Sequence, residues 1–111
     1  MKVMISQPMN GKSEEQIKNV RNEIISKFNK MHIEVIDTLF KEEPPANCNQ
    51  AVYYLGKSIS AMKDIDAIYM CEGWREARGC RLEHAVAMEY GIKILYSDFF
   101  HNDEVVTTRN I

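Results

Sequence analysis

Short apolar runs alternate with helically spaced apolar residues along this chain. Residues 3–6 form a short apolar run, which predicts a first strand. Asn10-Gly11 is a turn signal, and Ser13 followed by Gln16 resembles a capping box. Apolar residues then recur at helical spacing, which predicts a helix to about Asn29. They are Ile17, Val20, Ile24, Ile25 and Phe28.

The middle of the chain continues this alternation. Apolar and polar residues alternate over residues 32–37, which predicts a second strand. Residues 41–45 are predicted to form a polar loop that is stiffened by its prolines. Asn49 is placed to cap a second helix. We expect its apolar face to consist of Val52, Leu55, Ile59 and Met62. Residues 65–71 are almost continuously apolar, as in a central strand covered on both faces, and Gly73 ends that run.

A third helix is predicted over about residues 78–90. The expected apolar positions are Leu82, Ala85, Val86 and Glu89 or Tyr90. Gly91 is placed as its C-terminal cap, and residues 92–96 predict a fourth strand. Residues 97–111 are compatible with a short helix, an edge strand or an arm that contacts a partner.

Strands that alternate with helices of this length predict a parallel sheet with right-handed crossovers. We therefore expect residues 1–111 to form one α/β domain of the flavodoxin/Rossmann-like kind, with about four or five strands and helices on both faces. Such sheets bind ligands at the carboxyl ends of their strands, near the switch in strand order. Residues 6–12, 37–49 and 72–79 are expected to meet there.

Composition narrows the possible partners and compartments. Fourteen Lys and Arg against 16 Asp and Glu give a net charge of −2 with the signs interspersed, so a polymeric nucleic acid is not an expected partner. No apolar run approaches the roughly 20 residues of a membrane span, so a membrane is not an expected partner either. A small anionic ligand remains possible. The three cysteines include no Cys-x-x-Cys pair, and the N-terminal apolar run is too short for a signal peptide. We expect a cytoplasmic protein with reduced thiols.

The densest polar cluster spans residues 72–84, from the third strand into the third helix. A helix N-terminus favours a phosphate or carboxylate, and Gly79 allows a ligand to approach the backbone closely. Arg78 and Arg81 can add charge-assisted hydrogen bonds, and Trp74 can stack on a base or sugar. The alternatives are a solvated arginine face and a tryptophan that only packs at the strand end.

Glu83 is the unusual residue of this cluster, because it lies at the edge of the predicted apolar stripe. The helix dipole alone also favours a carboxylate in the first turn. His84 follows it directly and points to a different face of the helix, so we expect a structural role for His84. No His or Cys spacing suits a metal, and no Gly-x-Gly-x-x-Gly or Walker motif is present, so neither a metal nor a cofactor is expected.

The third-helix segment 78–92 resembles the corresponding motif of the nucleoside 2-deoxyribosyltransferase superfamily, and more narrowly a group of small bacterial and phage domains related to it. The matching positions are Gly79, Glu83, Ala87 and Gly91. Residues 2–9 resemble that family's first strand and substrate loop, and residues 66–73 resemble its strand ending in an acidic residue and Gly.

This resemblance implies an enzyme that acts on the N-glycosidic bond of a nucleoside or nucleotide. Glu83 matches the nucleophile, and Glu72 matches the acidic residue that assists the leaving base. The first loop implies substrate contacts from Ser6, Gln7 and Pro8. Gln7 stands where the family usually has a small residue, and Glu72 stands in place of an Asp.

Two other classes of function remain open. A non-catalytic module could hold a nucleotide-like ligand in the same pocket, a possibility that Gln7 and the short chain favour. A small interaction domain could instead use its helices for contacts within an oligomer. The resemblance implies a homo-oligomer and leaves open the base, the sugar and the acceptor.

Overall fold

The computed structural model of the chain describes residues 1–39 and 43–101. The strands are β1 (Lys2–Ser6), β2 (Glu34–Ile36), β3 (Ala67–Met70) and β4 (Lys93–Tyr96). The helices are α1 (Glu14–Lys30), α2 (Gln50–Ala61) and α3 (Arg78–Glu89), with 3₁₀ turns at Met62–Asp64, Trp74–Glu76 and Phe99–His101.

All strand pairs are parallel, and the order across the sheet is β2-β1-β3-β4. The chain passes from β1 outward to β2 and then back across β1 to β3, so the order switches between β1 and β3. Four parallel strands with helices on both faces confirm the predicted flavodoxin/Rossmann-like α/β class. The carboxyl ends of β1 and β3 thus become the expected position of a ligand site.

Alternation along the strands divides the core into two layers. On one face, Val3 and Ile5 pack with Phe28 of α1. On the other face, Met4 packs with residues of α3 and of the turn that follows α2. That second layer includes Met62, Cys80 and Ala87. Ser6, two residues after Met4, continues the second face, which directs its side chain toward α3.

Local sequence signals set most element ends. Ser13 and Gln16 form the predicted capping box of α1, and the Asn49 side chain accepts a hydrogen bond from Val52 N at the start of α2. Gly91 follows the last turn of α3 with φ 71°, a left-handed conformation that glycine adopts without strain. These three predictions are confirmed.

Other details differ from the sequence-based expectation. His32 does not join the second strand: its φ is 60°, and β2 is only three residues long. Val52 and Leu82, expected on buried helix faces, are 61% and 44% exposed. Ala85 is exposed as well. The buried face of α3 instead carries Cys80, Glu83 and Ala87, because that is the face that contacts the sheet.

Some expectations fall partly outside the described residues. The tail begins with the 3₁₀ turn Phe99–His101, and Phe99 and Phe100 pack against the layer formed by α1. The rest of the predicted tail, residues 102–111, lies outside the described part of the chain, as do residues 40–42 of the predicted polar loop. None of the helices in the described ranges is long and apolar enough to cross a membrane.

Candidate active site

Glu83 and Ser6 meet where α3 crosses the carboxyl end of β1. Ser6 is the last residue of β1 and is 1% exposed, while Glu83 lies on the buried face of α3 and is 8% exposed. The Ser6 hydroxyl donates a hydrogen bond of 2.6 Å to Oε1 of Glu83. A carboxylate that is nearly removed from water is therefore fixed in one orientation by a serine from the centre of the sheet.

Burial is also the main influence on how Glu83 titrates. It raises the pKa of the Glu83 carboxyl above its ordinary value, because desolvation disfavours the charged form. Hydrogen bonds from Ser6 and Ser58 and the positive charge of Arg21 act in the opposite direction. Glu83 is thus a buried carboxyl group whose pKa is shifted mainly by desolvation, a feature that catalytic carboxyls often share.

A cleft of about 890 Å³ opens beside this pair. Its walls come from the segments after β1, β2 and β3, together with Arg21 of α1, one side of α2 and the start of α3. All three loops that were expected at the carboxyl ends contribute. The polar or charged residues that line it are Gln7, Asn10, Arg21, Thr38, Tyr54, Ser58, Glu76, Arg78, Arg81 and Glu83. Its volume and position match those of small-molecule sites in open α/β sheets.

Arg21 is a charged residue of the cleft that our sequence analysis did not select. It lies in α1, is 3% exposed, and its pKa is lowered chiefly by burial, while Asp37 and Glu83 raise it. Its spacing carried a signal: Ile17, Arg21 and Ile24 share one helical face. An arginine at an apolar position of an amphipathic helix therefore marks a buried cation.

Gln7 and Arg21 contain buried polar atoms that have no hydrogen-bond partner among the described residues. These atoms are Oε1 of Gln7 and Nε and Nη1 of Arg21. The other end of the Gln7 amide is fixed, since its Nε2 donates a hydrogen bond of 2.9 Å to the carbonyl of Ile17. Both residues line the cleft that contains Glu83.

The arginines and the glycine predicted at the start of α3 do reach this cleft. Arg78, Gly79 and Arg81 line it. Arg81 also donates from Nη1 to the carbonyl of Arg75 at 2.9 Å, which holds its side chain along the turn before α3. The cleft thus contains Glu83, Gln7 and these three predicted residues. Ser6 is hydrogen-bonded to Glu83 but is not among the described residues that line the cleft.

Trp74 lies elsewhere. Its ring stacks on His84, with the centroids 4.1 Å apart and the planes 20° from parallel, and His84 is hydrogen-bonded to the Tyr96 hydroxyl at 2.9 Å. Glu83 and His84 therefore point to different sides of α3, as predicted. Among the described residues, Trp74 is not one that lines the cleft.

Glu72 and Pro8 are likewise absent from the described residues that line the cleft. Glu72 is exposed in the turn after β3. Pro8 lies beside Gly73, where a Cβ atom would be 3.7 Å from Cγ of Pro8. Glu76 is the acidic residue of this segment that lines the cleft.

A sequence-family match covers nearly the same residues as the fold described above. Residues 1–96 match the family described as "Domain of unknown function (DUF4406)". The chain belongs to this family. No curated protein and no solved structure matches it. The match ends at Tyr96, the last residue of β4, so the DUF4406 region contains all four described strands and every described residue that lines the cleft.

The buried cysteines of the DUF4406 domain are not activated as nucleophiles by their surroundings. Cys48, Cys71 and Cys80 are free, and burial raises the pKa of the Cys71 thiol to about 12. Cys80 lines the cleft, and burial raises its pKa as well, which disfavours the reactive thiolate. Within residues 1–39 and 43–101, no three His, Cys, Asp or Glu side chains are grouped to hold a metal ion. Glu83 is thus a buried acidic side chain of the cleft that a serine hydroxyl holds in place.

Proposed function

We propose that this DUF4406 domain is an enzyme that breaks the N-glycosidic bond of a nucleoside or nucleotide, by transfer or hydrolysis, with Glu83 as the nucleophile. The observation that carries the proposal is the position of the Glu83 carboxyl. It is buried, hydrogen-bonded by Ser6, and part of the lining of a ligand-sized cleft at the switch in strand order.

In the proposed reaction, a Glu83 oxygen bonds to the anomeric carbon while the bond from that carbon to the base nitrogen breaks. The electron pair of the broken carbon–nitrogen bond leaves with the base, and the sugar remains attached to Glu83 as an ester. Water or a second base then attacks the same carbon and releases Glu83. The Ser6 hydrogen bond to Oε1 supports this role, because it orients the carboxylate and favours its ionised form.

The departing base needs a proton or a hydrogen bond. The resemblance assigns this work to Glu72, which is exposed and does not belong to the described lining of the cleft. Glu76, four residues later, is an acidic side chain that lines the cleft. We propose that one of these two glutamates, together with the cleft arginines, assists departure of the base.

The test is base release by the purified chain. Nucleosides, 2′-deoxynucleosides and their 5′-monophosphates are incubated with the protein, with and without a second free base, and the products are separated by chromatography. Glu83→Gln should abolish release while ligand-induced thermal stabilisation persists. Glu89→Gln, a matched change at the exposed end of α3, should keep the wild-type rate. Release that continues in Glu83→Gln refutes the mechanism.

A non-catalytic nucleotide-binding module is the second candidate. The exposed position of Glu72 favours it, because the carboxyl expected to assist the leaving base is not in the described lining. Tight binding of a nucleotide that is recovered unchanged, even after long incubation, would establish this alternative. A chain that no nucleoside or nucleotide stabilises would instead fit a small interaction domain.

We further propose that the protein acts in the cytoplasm as a homo-oligomer. The three free cysteines are in keeping with a reducing compartment. Exposed apolar side chains on α3 and just after it support contact between copies. They are Leu82, Met88 and Tyr90, which are 44%, 64% and 79% exposed.

A further inference from the structure

The cleft has two walls of unlike chemistry. On the α2 side, the lining residues are spaced by three and four positions, so they share one face of that helix. They are Ala51, Tyr54, Leu55 and Ser58. On the α3 side, Arg78, Gly79 and Arg81 line the cleft. A ligand that fills the cleft therefore meets a mostly apolar and aromatic surface on one side and two guanidinium groups on the other.

Glu83 lies where these two walls meet. It belongs to α3, and the hydroxyl of Ser58, the last residue of the α2 face, is hydrogen-bonded to its carboxyl. A substrate whose reacting carbon lies beside Glu83 can therefore extend in two directions. One part follows the face of α2, and another part follows the start of α3.

Arg78 and Arg81 are suited to bind an anion. They are three positions apart in α3, so their side chains are neighbours on the helix surface. Among the described residues, neither forms an ion pair with an acidic side chain. Nη1 of Arg81 donates to the carbonyl of Arg75 at 2.9 Å, which holds the guanidinium in place while its remaining N–H groups can serve a ligand. Guanidinium groups donate paired hydrogen bonds to phosphate, so two neighbouring arginines match a phosphate group.

The charge of the cleft differs in sign from that of the whole chain. The chain has a net charge of −2. The described lining of the cleft instead contains three arginines, Arg21, Arg78 and Arg81, and two acidic residues, Glu76 and Glu83. This local excess of positive charge favours an anionic ligand over a neutral one.

We propose that Arg78 and Arg81 form a phosphate subsite, so that the substrates are nucleoside 5′-monophosphates in preference to nucleosides. This inference rests on the proposed function and specifies its substrate class. The base lies along the α2 face, where the ring of Tyr54 can stack on it. At 1.5 Å per residue, Arg78 and Arg81 precede Glu83 by about 7.5 Å and about 3 Å along the axis of α3. A ribose ring and its 5′ methylene group can span such a separation.

The phosphate contact is remote from the bond that breaks, yet it contributes to the reaction. Binding energy from the phosphate holds the sugar in one position, with its anomeric carbon beside Glu83. We therefore expect kcat/KM for base release to be higher for a 5′-monophosphate than for the nucleoside with the same base and sugar.

The experiment uses two matched ligand pairs. They are adenosine with adenosine 5′-monophosphate, and 2′-deoxycytidine with its 5′-monophosphate. Affinities are measured by calorimetry on the Glu83→Gln protein, so that no ligand is consumed, and rates of base release are measured on the wild type. Each monophosphate should bind at least about tenfold more tightly than its nucleoside, the effect of one hydrogen bond to a charged group.

Variants then connect the preference to the two arginines. Adding Arg78→Met and Arg81→Met together should bring the ratio of the two affinities to within about threefold of one, while the affinity for the nucleoside is retained. Arg75→Met is the matched control, because Arg75 lies over the Trp74 ring and is not among the described residues that line the cleft. It should keep the ratio. All three arginines are exposed, so the substitutions should leave the fold intact.

The outcomes separate this inference from the proposed function. Equal affinities, tighter binding of the nucleosides, or no binding of either monophosphate overturns the subsite. An Arg75→Met protein that loses the preference as fully as the double variant also overturns it, since general charge attraction would then explain the ratio. Base release that is as fast from nucleosides as from monophosphates refutes the subsite and leaves the enzyme intact. A preference for monophosphates without base release supports the subsite and makes the chain a binding module.

Discussion

Ser6 at the end of β1 and Glu83 in α3 are 77 positions apart in sequence, and the Ser6 hydroxyl donates a 2.6 Å hydrogen bond to Oε1 of Glu83. Both residues are buried. This bond favours the ionised carboxylate, because an ionised acceptor binds a hydroxyl more strongly than a neutral one. Ser6 therefore influences both the orientation of Glu83 and the pH range in which it is charged.

Replacing Ser6 by alanine should move the acid limb of base release to higher pH. The Ser6 hydrogen bond lowers the pKa of Glu83, so its loss raises that pKa further above the ordinary value. We also expect a loss of about 1–3 kcal/mol in the free energy of unfolding, typical for a buried hydrogen bond to a charged group. The pH dependence of kcat/KM and urea denaturation measure the two effects. Ser26→Ala, at an exposed position of α1, is the control and should leave both unchanged. An unmoved acid limb would argue against this role of Ser6.

The raised pKa of Glu83 also predicts how stability depends on pH. Burial is the largest cause of the shift, so the folded state binds this proton more tightly than the unfolded chain does. The stability contributed by the protonated carboxyl is fully present below the ordinary pKa of 4.5 and is lost as pH rises through the folded pKa. Glu83→Gln does not titrate. Its free energy of unfolding minus that of the wild type should therefore increase with pH across this window. Glu89→Gln, an exposed substitution, should show a flat difference, and a flat difference for Glu83→Gln contradicts the prediction.

The order of elements and the sheet class could be predicted because they depend on local signals. Ser13, Gln16, Asn49 and Gly91 each set an element end within a few residues, and β3 is covered on both faces, so it appears as a continuous apolar run. Such features need no knowledge of distant contacts.

The face of α3 that contacts the sheet could not be predicted in this way. Leu82 belongs to the predicted apolar stripe of α3, but the buried face carries Glu83. The Glu83 carboxyl can be buried there because a hydroxyl at the end of β1 donates a hydrogen bond to it. Arg21 occupies an apolar position of α1, which marks it as a buried cation, but its place in the cleft depends on contacts with other elements. Trp74 is a residue type that often stacks on ligands, yet its ring packs on His84. In each case a partner distant in sequence, or on a neighbouring element, decides the environment.

Trp74 offers a spectroscopic test of its own position. It is the single tryptophan, and its ring stacks on His84. Protonated imidazole quenches indole fluorescence, so emission should fall as pH decreases through the pKa of His84. Burial and the charge of Arg75 lower that pKa, which places the midpoint below 6.5. His84→Gln should abolish the transition, while His32→Gln, at an exposed position, should preserve it. A midpoint above 6.5 contradicts the lowered pKa of His84, and a transition that survives His84→Gln contradicts the stacking arrangement.

Glu72 and Glu76 can be compared as the group that assists the leaving base. Both glutamates are exposed, but Glu76 lines the cleft and Glu72 is not among the described residues that do. We expect Glu72→Gln to lower kcat for base release less than about tenfold and Glu76→Gln to lower it by about 10²-fold, the size of a general-acid contribution. Rates are compared at the pH optimum of each variant. The opposite ranking would support Glu72 in the role that the sequence resemblance assigns to it.

Arg21 should be costly to the stability of the ligand-free protein. Burial is the largest influence on its pKa and lowers it, which means that desolvation of the guanidinium outweighs its attraction to Asp37 and Glu83. Two of its nitrogens also lack hydrogen-bond partners among the described residues. Arg21→Met retains most of the side-chain volume, and we expect it to raise the free energy of unfolding by about 1–3 kcal/mol. Urea denaturation without ligand measures the change, and Lys18→Met, at an exposed position of the same helix, should stay within about 0.5 kcal/mol of wild type. A destabilised Arg21→Met protein would show instead that the attraction of the guanidinium to Asp37 and Glu83 outweighs its desolvation.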